Sequence, residues 1–470
     1  MTHSRRGSSK GRWVLAASIL GSGAVFLEGT VVLVALPAIG RDMGLSIAGL
    51  QWVMNGYLLT LSALMLFGGT LGDRITHAKV FGVGLIGFAV SSLACSLAPN
   101  VEILVAARLV QGIAGALVVP NSLAILETTF HGKERGVAIG RWAAWSAIST
   151  AIGPLAGGWL VDASSWRFVF LSIIPFALVA AAIAFRHSTA GEPASKRTSG
   201  ALDYAGAALG TFGLAGIVAA LITGPESGFT STFVLAIGGA GVAFLVTFVF
   251  VESRAPNPLL PLDVFKVREF VGANLNTVLV YAALNGMFFL LMLQLQNGLG
   301  YSALVAGASL LPINALLLIL SPRSGKLAER IGARLPMSIG SLVTGIGALL
   351  FIRVTRESSY VWTVLPAVLV FGVGLGMLVA PLTAVALGSL GEKRAGIASG
   401  VNNAAARLAG LLATASIPVA AGLGGSRQPQ GEALAAAFIR AMMISAALCV
   451  AGAIVAFLMV RDGRGNRPQK

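Results

Sequence analysis

Two ionisable residues lie well inside apolar stretches of the chain: Glu28, in a run from Trp13 to about Ile39, and Arg108, in a run from about 101 to 126. On insertion scales a charge at that depth costs about 2.5–3.5 kcal/mol, so each must face a cavity or a partner. Desolvation and a neighbouring cation pull a buried carboxyl in opposite directions, which poises it to load and release a proton. Glu28 therefore reads as a proton carrier and as a contact for a cationic ligand; its other reading is a neutral, hydrogen-bonded acid that only packs. Arg108 shares a helical face with Gly112 and Gly115. It is either a fixed charge that tunes or receives the proton, or a structural post that donates to backbone carbonyls.

Other polar groups gather at helical spacing. Asn274 and Asn285 are about three turns apart on one face, with Gln294 and Gln296 beyond them, and Asn402 and Asn403 precede Arg407 by about one turn. Together with Trp52, Tyr57 and Trp142 they can line a cavity, although core packing explains any one of these aromatics equally well. Asp73 and Arg74 follow the second apolar run at its edge, where they suit a charge lock between helices or a loop charge that sets topology. Arg141, one turn into its run, reads as a snorkelling cation. The acid inventory is short for a dicationic ligand, which leaves neutral, monocationic or anionic amphiphiles.

The element that must move these groups is the stretch WSAISTAIGPLAGGWL, Trp145 to Leu160. Pro154 removes one amide hydrogen, so the Thr150 carbonyl loses its helical partner and the helix is expected to bend, with nearby hydroxyls able to re-satisfy the backbone. Ser149, Gly153 and Gly157 recur every four residues, with Gly158 beside them, and form a small-residue stripe for close helix approach. Ordinary tight packing is the alternative.

These groups sit in a bilayer protein. Of 470 residues 56% are apolar and 11% charged, with mean hydropathy +0.85, against roughly 25% charged in a soluble domain. The net charge of +15 resides in short loops between apolar runs, which points to membrane topology and away from nucleic acid. Fourteen runs of about 20 residues are predicted to be transmembrane helices, near 13–39, 48–69, 79–98, 101–126, 137–160, 168–185, 204–223, 232–251, 269–293, 303–322, 335–353, 361–388, 396–422 and 438–460. They divide into a bundle of six over 1–186, two extra helices with linkers over 187–267, and a second bundle of six with the tail over 268–470. Four arginines (Arg108, Arg141, Arg407, Arg440) fall inside helices; of the other Lys and Arg residues only Arg41, Arg167, Arg353, Arg356 and Arg427 lie on the outer side when both termini are cytoplasmic. GTLGDRI from Gly69 is echoed by GKLAERI from Gly325, each after the second helix of its set, and GVAIG at Gly136 by GIASG at Gly396, which argues for duplicated bundles about an axis along the membrane normal. Cys95 and Cys449 read as buried small hydrophobes, and His3, His77, His131 and His187 as solvated loop residues. Neither a metal cluster nor a nucleotide-binding loop is indicated.

GGTLGDR, RLVQGIAGA from Arg108, IGPLAGG, SWRFVF from Ser165, GVNNAAAR from Gly400 and LEGTVVLVALP from Leu27 together resemble the major facilitator superfamily, in its fourteen-helix drug/proton antiporter branch. The chain departs from that pattern at Thr76, His77 and Ala78, where Gly-Arg-Lys is usual, and at Glu28 and Leu33, where Asp and Asn are usual. The resemblance implies an all-α, multi-pass fold in the cytoplasmic membrane and a proton-coupled exporter of amphiphilic drugs or antibiotics that works by alternating access. In it, Glu28 and Arg108 couple protons, while Asp73, Arg74, Gly153, Pro154, Gly157 and Gly158 serve the conformational switch. It further implies no cofactor, no catalysis and a monomer. The alternatives on the same fold are a proton-coupled importer or facilitator of a small metabolite, and a receptor or scaffold without turnover.

Overall fold

The computed structural model describes residues 4–188, 203–254, 261–354, 358–391, 394–423 and 431–461. His3, the outer-side Arg356 and Arg427, and most of the two polar linkers lie outside the described residues. Among the described residues the fold is helical and contains fourteen long helices. They are α1 (Lys10–Met43), α2 (Ile47–Arg74), α3 (His77–Ser96), α4 (Val101–Thr129), α5 (Gly132–Ala163), α6 (Arg167–His187), α7 (Tyr204–Ser227), α8 (Thr232–Glu252), α9 (Arg268–Gly298), α10 (Ala303–Ile331), α11 (Arg334–Arg353), α12 (Tyr360–Gly388), α13 (Ala395–Ala420) and α14 (Glu432–Met459). Twelve are long and apolar enough to cross a membrane on length and composition alone. The other two, α5 and α13, are 32 and 26 residues long but interleave Arg141, Ser149 and Thr150, or Asn402, Asn403 and Arg407, with apolar residues. Each is the fifth helix of its set of six.

Several helices outrun their apolar cores. α1 continues to Met43, α2 to Arg74, and α14 begins at Glu432. Polar residues prolong a helix wherever they can reach the interface, so hydropathy marks only the membrane-embedded part. Side-chain caps set other starts: Asn100 accepts the Ile103 amide at 3.0 Å, and Ser46, Ser231 and Ser302 do the same for α2, α8 and α10.

The chain divides into two compact units, one of Met1–Ala220 with Thr230–Leu259, the other of Leu221–Phe229 with Leu260–Lys470. Most of the α7–α8 pair groups with the first unit, where Tyr204 packs on Phe67 of α2 at 5.5 Å between ring centroids. Inside each unit the same partners pack: α1 on α4, α5 and α6, α2 on α4, α3 on α4 and α6; and likewise α9 on α12, α13 and α14, α10 on α12, α11 on α12 and α14. GTLGDRI ends α2 and GKLAERI ends α10, so the two echoes occupy equivalent places in the repeated packing.

Burial follows the logic of a lipid solvent. The large apolar residues exposed along α3 and at its C-cap are Val83, Ile86, Val90, Leu93 and Leu97, spaced by three and four along one face, while Ser91, Ser92 and Ser96 are buried. Polar side chains turn inward to find partners and apolar ones cover the outside.

Candidate functional site

The first unit brings together the two charges that were expensive apart. Glu28 on α1 and Arg108 on α4 are 80 positions apart in sequence, both fully buried, and form a direct ion pair through Arg108 Nη1 and Glu28 Oε1. The same Nη1 donates to Gln111 Oε1 at 2.7 Å, and Arg108 Nε donates to the Val53 carbonyl at 3.0 Å. Gln111 Nε2 in turn donates to Ser92 Oγ at 2.8 Å, and the Cys95 thiol lies 3.7 Å from Gln111 Oε1. The Tyr57 ring covers the guanidinium at 4.4 Å, with the Phe170 ring at 5.8 Å, and the Tyr57 hydroxyl donates to the Val25 carbonyl at 3.1 Å. Arg108 is thus both a charge partner and a post to the backbone.

This pair is enclosed rather than open to a cavity. Tyr57, expected as a cavity wall, is buried as its lid. Buried ion pairs hold only where hydrogen bonds satisfy the remaining donors and acceptors, and here the satisfaction is incomplete. Glu28 Oε2 and Arg108 Nη2 have no hydrogen-bond partner, nor does either end of the fully buried Asn55 amide, two residues along α2 from Val53.

The stripe on α5 meets α1 closely. A side chain at Gly153 would strike Thr30, one at Gly157 would strike Val31, and the Ser149 hydroxyl lies against Gly23. Pro154, Gly157 and Gly158 are buried. The Ser149 and Thr150 hydroxyls donate one turn back, to the Trp145 and Ser146 carbonyls at 2.9 and 3.0 Å; such back-bonding bends helices and acts just before the proline. Neither hydroxyl serves the Thr150 carbonyl that the proline leaves unmatched. Trp142 is half-buried and its indole N–H donates to Ser22 Oγ at 2.9 Å, while Ser22 donates to Ser122 at 2.7 Å, tying α5 to α1 and α4. Trp52 is half-buried and Arg141 exposed.

Asp73 pairs with His77 Nε2 at 3.3 Å, one turn on across the α2–α3 turn, and Arg74 is half-buried. The contact that Asp73 makes is therefore one between a carboxylate and an imidazole. His77 is not a solvated loop residue: its side chain is only 16% exposed, with Nδ1 2.8 Å from Asn121 Oδ1 on α4. His187 also departs from expectation, stacking on Trp13 at 5.5 Å between ring centroids, whereas His131 is exposed.

In the second unit, α13 and α9 meet through polar side chains. Asn402 Nδ2 donates to Thr277 Oγ1 at 2.8 Å and to Asn274 Oδ1 at 3.2 Å. Asn285 donates to the Tyr281 carbonyl and lies against Gly410, and exposed Asn403 donates to the Ser399 carbonyl. Arg407 is half-buried on α13. Gln294 and Gln296 are buried at the end of α9.

Sequence reasoning overlooked Asp42. It accepts from Trp166 Nε1 at 2.9 Å and from Arg167 Nη1 at 2.8 Å, while Arg167 Nη2 reaches the Ala98 carbonyl at 3.3 Å. This clasp joins the end of α1 to SWRFVF over more than 120 residues of chain, so no local pattern announces it. Gln111 had a usable signal, an amide one turn from a buried arginine.

Comparison with known proteins places this architecture. The Major Facilitator Superfamily model matches residues 18–203 and 198–414. The chain belongs to the major facilitator superfamily. It is 34% identical to the multidrug resistance protein Stp of Mycobacterium tuberculosis over 391 residues, 83% of this chain and 72% of that protein. It is 33% identical to the tetracenomycin C resistance and export protein of Streptomyces glaucescens, covering 89% and 78% of the two chains. It is 34% identical to the methylenomycin A resistance protein of Streptomyces coelicolor, covering 84% and 82%. A crystal structure of a POT family transporter in complex with a thioalcohol-conjugated peptide superposes with a TM-score of 0.68 at 13% identity, covering 95% and 94% of the chains; at that identity the likeness concerns the fold alone. This member of the superfamily is a multi-pass membrane transporter.

Proposed function

We propose that this transporter is a proton-coupled antiporter that exports amphiphilic drugs or antibiotics across the cytoplasmic membrane by alternating access, with both termini cytoplasmic. The observation that carries the reading is the enclosed, incompletely satisfied Glu28–Arg108 pair; the resistance and export proteins to which the chain is similar support the cargo class and the direction of transport. Protonating Glu28 cancels its charge, so Arg108 is left as a buried cation held by Gln111 and the Val53 carbonyl. That state is costly, and it is relieved when helices rearrange to hydrate the pair. Deprotonation restores the ion pair and resets the packing. The α1–α5 seam, with Pro154 and the glycines at its centre, is where the change in α1 passes to α5, and Asp73 with Arg74 holds the α2–α3 end in one arrangement.

One proton moving down about 100 mV supplies ~2.3 kcal/mol, enough for roughly fiftyfold accumulation of a neutral substrate. The test uses purified protein in liposomes with an imposed pH gradient and an interior pH dye, challenged in turn with cationic, neutral and anionic antibiotics. Proton flux evoked by one of these classes and abolished in Glu28→Gln supports antiport. Substrate movement in the direction of the protons identifies an importer instead, and flux of normal size in Glu28→Gln removes this residue from the mechanism.

A further inference from the structure

The contact at the α2–α3 turn carries a proton count. Asn121 Nδ2 lies 2.8 Å from both the Gly68 and the Leu117 carbonyl oxygens. Only an N–H₂ can sit between two acceptors, so the orientation of the amide is set and Oδ1 must face His77. Oδ1 accepts only; His77 Nδ1, at 2.8 Å, therefore carries a hydrogen. In a neutral imidazole the other nitrogen would then present a lone pair, yet Nε2 sits 3.3 Å from the Asp73 carboxylate. Two acceptors at that distance repel, whereas an imidazolium donates at both nitrogens and satisfies both neighbours. The space for this arrangement comes from Gly72: a side chain there would overlap Asn121 Oδ1 and His77 Nδ1.

We propose that His77 is a proton-binding site separate from Glu28, and that its charged form clamps the α2–α3 turn to α4 through Asp73 and Asn121. Loss of the Nε2 proton replaces an attraction by a repulsion and releases the turn. On the Lys and Arg count this turn faces the cytoplasm, so the clamp reads cytoplasmic pH. At this end of the elements packed here the other charged groups are Arg74 on α2, Lys79 on α3, Arg186 and His187 on α6, and on α4 Glu127, which pairs with Arg135 at 2.9 Å; Glu102 and Arg108 of α4 and Arg167 of α6 lie toward the opposite end or inside the bundle. Asp73, with its side chain 55% exposed, supplies the ionisable partner of the ring.

The inference stands independently of proton antiport, and its test needs no substrate. Ile75 in the turn is 55% exposed, and Cys95 and Cys449 are both buried, so a spin label on Ile75→Cys reports the turn, with the unsubstituted protein as the labelling control. Between about pH 6 and pH 8, the range in which imidazole titrates, the label passes from immobilised to mobile, with a several-fold change in the ratio of the two spectral components. His77→Lys, charged throughout, keeps it immobilised at both values. His77→Gln and Asp73→Asn abolish the pH response, and His131→Gln leaves it intact. A line shape that does not change with pH in the parent, or an unchanged response in His77→Gln, overturns the proposal.

Discussion

Arg108 shows how one side chain can be indispensable to packing and still be part of a switch. Three of its contacts, with Glu28, Gln111 and the Val53 carbonyl, cross from α4 to α1, within α4 and to α2 respectively. Removing one partner of a buried pair leaves an uncompensated charge and costs about 3–5 kcal/mol, whereas removing both charges together costs far less. Arg108→Gln should therefore lower the thermal stability of the purified protein markedly, and the double variant Glu28→Gln with Arg108→Gln should recover most of that loss. An additive loss in the double variant would mean the two charges are not coupled. Glu28 and Arg108 were legible from sequence as ionisable residues at membrane depth. Their direct pairing was not, because 80 positions separate them and only the packing of α1 on α4 brings them together. His77 was misjudged for a related reason: a histidine at a loop edge looks solvated until Asn121, 44 positions away, is placed against it.

At the scale of elements, the α1–α5 seam rests on small residues. Gly157→Leu should clash with Val31 across it and lower both folding yield and turnover, since backbone cannot retreat as a flexible side chain can. Pro154→Ala restores an amide hydrogen and should slow turnover while leaving topology unchanged; equal turnover rates of variant and parent in liposomes would exclude a hinge role. A different contact ties the turn Leu262–Lys266 to the start of α13, where Arg394 donates to Asp263 at 2.5 Å. The Arg394 guanidinium holds the Asp263 carboxyl below the usual carboxylate range. A lowered carboxylate stabilises above its unfolded value, about 3.9, and loses that contribution only as pH falls below it. Across neutral pH, thermal stability should therefore be insensitive to this pair, with Asp263→Asn differing from the parent by a small amount that vanishes in acid. A difference that grew as pH fell would contradict the assigned direction. Helix number and order were readable because each span needs about 20 apolar residues. Helix ends were not, since α2 and α14 continue through charged residues that hydropathy discards.

For the whole molecule, duplication explains the most. The two sets of six helices repeat one packing scheme, and in both the fifth helix interleaves polar residues with its apolar ones and falls outside the twelve apolar enough to span a membrane on composition alone. The echo of GTLGDRI by GKLAERI was visible in sequence because the duplicated loop motif retains its Gly, Leu, Arg and Ile. The shared packing was invisible, since apolar residues substitute for one another without changing which helices touch. The most direct measurement of the central claim is proton release on substrate binding by the purified protein in lightly buffered detergent, followed with a pH indicator. Adding a transported antibiotic should release protons from the parent and none from Glu28→Gln, and the release should disappear at a pH where Glu28 is already ionised. Equal release from the parent and Glu28→Gln, or none from either with an antibiotic shown to bind, would contradict it.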